Sequence, residues 1–192
     1  MSDVIDIFKT PLYFAKLKLD NKKMASYCTS MSQKHKGRKL SNSGGWQSDN
    51  LSGEIPVLNN LFLNIIEHSN KMADIIGLKK PLKLDNIWIN INGFKDSNIT
   101  HVHNHCLLSG VYYVKTSKNC GDLMLNNPAL PLIECDWNDY SIKGNYTNYT
   151  AAKHTMPAYE GMLYIFPSWL EHYVSPNMSK QKRISISFNI IR

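Results

Sequence analysis

From Asn86 to Arg192 the chain is cut by Gly, Asn and Pro into short runs of β-branched and aromatic residues, a texture that restricts it to a fold of many short strands. Strands are predicted near 87–92, 99–105, 108–116, 121–126, 153–156, 161–166, 172–175 and 182–191. A set of this kind suits a sandwich or jelly roll. The last strand is the most informative. Arg183, Ser185, Ser187 and Asn189 share one face, and Ile184, Ile186, Phe188 and Ile190 share the other. An edge strand with its polar row in water satisfies this pattern. If both faces are covered, the polar row must line a wet cavity, because buried polar groups need partners. The stretch from Asn126 to Asn148 has no clear period and reads as a long loop over one mouth of the barrel.

The N-terminal half is helical in character. Asp20 starts a polar helix over about 21–34, and Pro56 opens an apolar one carrying Leu58, Leu61, Phe62, Ile65, Ile66, Ala73 and Ile76 before Gly77. Both are expected to pack on one face of a sheet. Between them, Ser41 to Ser48 (SNSGGWQS) is too rich in turn formers for a regular element and reads as a loop anchored by Trp46. The fold class is therefore mainly β with N-terminal helices (α+β). At 192 residues it fits one domain, with 1–85 as helical support and 86–192 as the core, folding alone or as a small oligomer such as a homodimer.

Net charge is +7 and the isoelectric point near 9.2. The basic clusters at Lys34 to Lys39, Lys79-Lys80 and Lys180 to Arg183 do not alternate with aromatics, so a nucleic-acid partner is disfavoured against an ordinary solvated basic surface. Cys28, Cys106, Cys120 and Cys135 lack metal-site or disulfide-scaffold spacing, and the N-terminus has no signal-peptide pattern. The expected location is cytoplasmic, that of the host if the gene is phage-borne, with thiols reduced and no membrane span. The sequon at Asn145 then carries no weight.

Residues 101 to 105 read His-Val-His-Asn-His. On a strand, His101, His103 and His105 would project from one face, where imidazoles two residues apart can converge on one ion. A polar surface strand of idle histidines fits these five residues equally well. A second element changes the balance. Tyr159 to Glu171 forms an apolar strand and a proline-containing turn that deliver His172 to the start of the next strand, and Arg183 follows eleven residues later. Arginine holds carboxylates with a bidentate fork. The order of His-x-His, His and Arg thus supplies metal ligands and a carboxylate clamp.

These segments resemble the 2-oxoglutarate and Fe(II)-dependent oxygenase superfamily, and within it a group of oxygenases common in marine bacteria and phages. The resemblance rests on Ser41 to Ser48, on His101-Val102-His103 followed by Leu108 to Val114 (LSGVYYV), and on Phe166 to His172 (FPSWLEH) with Arg183 to Asn189 (RISISFN). It implies a double-stranded β-helix with Fe(II) at one end, 2-oxoglutarate and O2 as cosubstrates, and hydroxylation of a second substrate with release of succinate and CO2. It also implies His101 and His172 as ligands and Arg183 on the far carboxylate of 2-oxoglutarate. Ser185 adds a hydrogen bond, and Tyr112 or Tyr113 makes a further contact. Most members carry Asp or Glu two residues after the first histidine; here that position is His103. A three-histidine site, a two-histidine site completed by water, and a register using His103 and His105 all remain open, with His101, His103 and His172 the favoured metal set.

Two other readings compete: a cupin-like metal-binding jelly roll acting as an isomerase or small-molecule binding protein, and a binding or structural protein with vestigial histidines. The substrate, a protein side chain or a small molecule, does not follow from the residues. The acidic trio Glu134, Asp136 and Asp139 near the expected mouth suggests attraction of a basic substrate.

Overall fold

The computed structural model describes residues 4–132 and 147–192. Along the chain run β1 (Tyr13–Lys16), α1 (Asn21–Lys34), β2 (Asn42–Ser43), β3 (Trp46–Gln47), α2 (Asn59–Ile76), β4 (Lys83–Asn92), β5 (Ser97–His101), β6 (Leu108–Lys115), β7 (Leu123–Asn126), β8 (Lys153–Met156), β9 (Met162–Pro167), β10 (His172–Val174) and β11 (Arg183–Ile191). The strands form two sheets facing each other, ordered β1-β9-β6-β11-β4-β3 and β2-β5-β10-β7-β8. All their pairings are antiparallel, so this is the expected jelly roll.

Strand β11 lies between β4 and β6, not at an edge, and its alternation governs both faces of the larger sheet. Ile186 sits opposite Ile89 and Tyr112, and Phe188 opposite Ile87 and Gly110, so the apolar rows of three strands merge. Helix α1 contributes Met24 and Cys28 to this layer, and α2 contributes Leu61, Ile65, Met72 and Ala73. The helices pack on one face of the sheet, as predicted. The side chain of Asp20 caps α1 by accepting from the Lys23 N–H at 3.1 Å, and Gly77 ends α2 at φ 75°.

On the opposite face the polar rows align. Ser185 pairs with Asn90 and Tyr113, and Asn189 with Asn86 and Ser109. These residues look into the space between the sheets. Val111, Leu123, Leu125, Tyr164, Phe166 and Leu170 fill one part of that space. The polar row borders the rest.

The N-terminal half holds more strand than its composition predicts. β1 is a four-residue strand on β9, too short for its alternation to register. The 41–48 segment is not a plain loop, because β2 and β3 within it join different sheets. Gly44 (φ 73°) and Gly45 (φ 65°) make the crossing. A Cβ on Gly44 would lie 2.1 Å from Asp96 Oδ1, and one on Gly45 2.8 Å from the Ile91 carbonyl, so neither position admits a side chain. Trp46 is the expected anchor, its indole N–H donating to the His35 carbonyl at 2.9 Å. Strand β5 ends at His101 instead of reaching 105, and His105 lies exposed at φ 63°. Most of the predicted 126–148 loop, with the acidic trio, lies outside the described residues.

Ile186 is fully buried between sheet and helices. Ile186→Ala is expected to cost about 2–5 kcal/mol by leaving a cavity there, whereas Ile99→Ala at an exposed position should cost less than about 0.5 kcal/mol. Urea unfolding of the two variants checks the helix-on-sheet core; equal midpoints would contradict it.

Candidate metal centre

His101, the last residue of β5, pairs directly with His172, the first of β10. Cross-strand partners on one face hold their Cβ atoms close. His103 follows β5 by two residues and is fixed through its backbone, whose N–H donates to the Ser168 carbonyl at 3.0 Å. The same turn is tied again by Ser168, which donates its N–H to the Leu107 carbonyl and its hydroxyl to the Cys106 carbonyl. One nitrogen from each of His101, His103 and His172 lies within 4.8 Å of the others. Sequence spacing anticipated this trio, except that His103 arrives from a loop beyond the strand. His105, exposed and at a left-handed backbone position, is not part of the cluster.

The ring tautomers follow from the backbone. His101 Nδ1 lies 2.7 Å from the Ile99 carbonyl and His172 Nδ1 lies 2.8 Å from that of Leu170. A carbonyl can only accept, so each Nδ1 carries the proton and each Nε2 keeps a free lone pair. Burial opposes protonation of all three rings, and the neighbouring imidazoles add to it at His103 and His172. His172 is pushed down to about 3, His103 to about 4, and His101 below its ordinary value. At neutral pH the trio is uncharged, the form that binds metal. Phe166 packs on the His172 ring and Trp88 beside His103. Among the described residues no carboxylate joins the cluster.

Arg183 opens β11 and is 1% exposed. Its Nη1 donates to the carbonyls of Cys120 (2.6 Å) and Gly121 (3.1 Å), while its Nε has no partner. The Tyr113 hydroxyl, also buried, has none either. Burial lowers the Arg183 pKa and raises that of Tyr113. Gly121 makes room for the guanidinium, since a Cβ there would lie 2.7 Å from Nη1. Ser185 stands beside Tyr113 in register. A cleft between the sheets is lined by Arg183, Tyr113 and Ser185 together with the three histidines. No carboxylate pairs with Arg183 among the described residues.

Tyr112 faces the other way, donating its hydroxyl to Asn21 Oδ1 on α1 at 2.7 Å, and does not line the cleft. Of the two tyrosines, Tyr113 faces the cavity. Sequence reasoning passed over Trp88 and Asn90, which also line it. Their signal was present: β4 alternates Asn86, Trp88, Asn90 and Asn92 with Ile87, Ile89 and Ile91, the same two-faced pattern as β11.

Against known proteins, residues 86–189, more than half of the chain, match the family model described as "Putative 2OG-Fe(II) oxygenase". No curated protein matches by sequence. A prolyl-4-hydroxylase from Pseudomonas putida superposes with a TM-score of 0.66 at 12% identity, covering 95% of this chain and 94% of that one. A prolyl hydroxylase from Trichoplax adhaerens, solved with a hypoxia inducible factor peptide fragment, gives 0.66 at 13% identity, covering 94% and 83%. HygX from Streptomyces hygroscopicus, solved with nickel and 2-oxoglutarate bound, gives 0.63 at 11% identity, covering 94% and 82%. At these identities the likeness is one of fold, and it matches the jelly roll.

The histidine pKa values predict how metal-free protein responds to pH. Unfolded histidines take up protons near pH 6.5, whereas the folded trio resists down to about 4 and 3 for His103 and His172. Each folded pKa is depressed, so the stability that the trio contributes is complete above about pH 6.5 and is lost as pH falls below it. The urea midpoint should fall between pH 7 and pH 5, and less steeply in His103→Gln. An identical fall in both proteins would contradict the assignment.

Proposed function

The chain belongs to the 2-oxoglutarate and Fe(II)-dependent oxygenase family, whose cofactors are Fe(II) and 2-oxoglutarate with O2 as cosubstrate, and on that basis we propose that it is a dioxygenase that hydroxylates its substrate through a three-histidine metal site. In this reading His101, His103 and His172 hold the metal, and Arg183, Ser185 and Tyr113 receive the far carboxylate of 2-oxoglutarate. The observation that carries it is the pair of unpartnered buried donors, Arg183 Nε and the Tyr113 hydroxyl, in a cleft whose wall also bears three neutral imidazoles.

Buried polar groups without partners are costly, and both groups here are donors. A carboxylate satisfies them together. Nη1 is already committed to two carbonyls, which fixes the guanidinium plane and leaves its Nε edge open. The fit to an anionic cosubstrate is therefore chemical as well as positional. On the metal side, imidazole nitrogens suit Fe(II), and the backbone carbonyls at Ile99 and Leu170 hold His101 and His172 in the ligating tautomer. When bound, the metal and 2-oxoglutarate supply the O2-activating chemistry, with succinate and CO2 as coproducts and one oxygen atom passing to the substrate. The chain's part is to orient both and to keep water out, which Phe166, Trp88 and Val111 do from the walls of the cleft.

A cupin-like isomerase or binding protein would use the same histidines but would leave Arg183 and Tyr113 with nothing to hold. The prolyl hydroxylase solved with a peptide fragment keeps a protein side chain in range as substrate beside a small molecule.

Anaerobic titration of the Fe(II)-loaded protein with 2-oxoglutarate, followed by the visible metal-to-ligand charge-transfer absorption, tests the reading. The parent should develop the band and His172→Ala should not. Arg183→Gln should need at least about tenfold more 2-oxoglutarate, as expected for losing a charge-assisted hydrogen bond. Absence of the band in parent protein that holds stoichiometric iron would overturn the proposal.

A further inference from the structure

Outside the cosubstrate cleft a groove of about 480 Å³ opens beside the histidines. Ser41, Trp88, His101 and His103 line both, so an occupant of the groove lies against two of the three histidines. The groove's far wall is Arg38, Gln47 and Asn50. Its lining carries no acidic side chain, and Arg38 is its one residue with a permanent charge.

Arg38 is held in place with unusual care for a residue in a connecting segment. Its N–H donates to the Gln47 carbonyl at 2.8 Å, making a bridge to β3. Gly37 before it turns at φ 71°, where a Cβ would lie 2.5 Å from Trp46 Nε1. Trp46 in turn is bonded to the His35 carbonyl. The guanidinium donates from Nη2 to Asn50 Oδ1 at 2.7 Å, and its buried Nε has no partner. No carboxylate pairs with it among the described residues. Beside it Gln47, 2% exposed, has an unpartnered Oε1. A cation held by its backbone and by Asn50, with a donor that no protein group satisfies, is a receptor for an anion. Leu40, Ile99, Val102 and Trp88 also line the groove, giving it apolar surface that fits the body of a ligand but not its charge.

We propose that this groove is the substrate site, and that the substrate is an amphipathic acid. Its carboxylate or phosphate sits on Arg38, a donor group faces Gln47, and its apolar body lies along Ile99 and Trp88 with the carbon to be oxidised at the histidines. The Ser41 to Ser48 segment thereby acquires a purpose beyond joining the two sheets, since it positions Arg38 and Gln47. Arg38 is a specificity-determining residue in this scheme. The inference rests on the metal site proposed above.

The test uses three phenyl probes, phenylacetate, phenyl phosphate and neutral phenylacetamide, titrated calorimetrically into the full chain loaded with Mn(II) and saturated with 2-oxoglutarate so that the cosubstrate cleft is filled, with NMR line broadening of the bound probe reporting its distance from the metal. Both anions should bind more tightly than the amide, lose at least about tenfold in affinity in Arg38→Gln, and keep most of it in Arg38→Lys. The tighter of the two anions identifies carboxylate or phosphate as the substrate's head group. Unfolding midpoints matched to the parent ensure that folded variants are compared. Anion affinity unchanged in Arg38→Gln, or equal to that of the amide, overturns the inference while leaving the metal site standing. Anion binding that depends on Arg38 without broadening, in protein that holds Mn(II), likewise removes the substrate role. Failure of Mn(II) to bind the parent but not of the Arg38-dependent anion affinity would instead sink the metal site.

Discussion

Strand β11 lies between β4 and β6 and is covered on both faces, and most of the molecule follows from how it meets that constraint. Its isoleucine row is satisfied by α1 and α2. Its polar row cannot be buried against apolar side chains without loss, and Arg183, Ser185 and Ser187 of that row line a cleft between the sheets instead. Neighbouring strands comply with the same division. Asn90 donates to the Ser187 hydroxyl at 3.1 Å, the Ser109 hydroxyl donates to Asn189 Oδ1 at 2.7 Å, and Asn189 donates to Asn86 at 2.8 Å. Within β11, Arg183 is the residue left with an unpartnered buried polar atom, and Asn90, Asn92 and Tyr113 on the neighbouring strands each leave one as well.

The second sheet supplies the histidines, and it does so through short pairings. His172 meets His101 across β10 and β5 and Leu125 across β10 and β7. Rings brought together this closely, and buried, lose their affinity for protons, which costs stability in acid but leaves them neutral, the form able to bind a metal, at neutral pH. Folding and metal readiness thus draw on the same desolvation. The loops on either side, 102–107 and 168–171, bond to each other through Ser168, so the third ring comes from a tied segment.

How much of this the sequence disclosed depended on the length of each pattern. β11 repeats its alternation over nine residues, and α2 its helical spacing over eighteen, so both were legible. His101, His172 and Arg183 were legible through their order. Local signals failed where a few backbone bonds decide. β1, β2 and β3 are four residues or fewer, and what makes them strands is the partner strand rather than their own residues. The end of β5 at His101 was invisible because the left-handed turn at His105 belongs to the loop geometry. Choosing Tyr113 over Tyr112 needed the register of β6 against β11, since adjacent residues on any strand face opposite sides and the residue type is the same.

In the proposed site His103 stands where the resemblance to the oxygenase superfamily implies a carboxylate, and this changes the balance of charge around the metal. A carboxylate ligand would offset one unit of the metal's charge. Three neutral imidazoles offset none, and Arg183 adds another unit in the same cleft, with no acidic side chain among its lining residues. In a space of low dielectric such an excess is strongly unfavourable until anions enter. A dianion long enough to touch both the metal and Arg183 cancels the excess at both ends, whereas a monoanion cancels it at one. Electrostatics then make the occupancy of metal and cosubstrate interdependent, each binding more tightly when the other is present. By the same logic the groove is the place for a further negative charge only at a distance from the metal, beside Arg38, where a fixed guanidinium receives it and the apolar strip of Ile99 and Trp88 separates it from the cosubstrate.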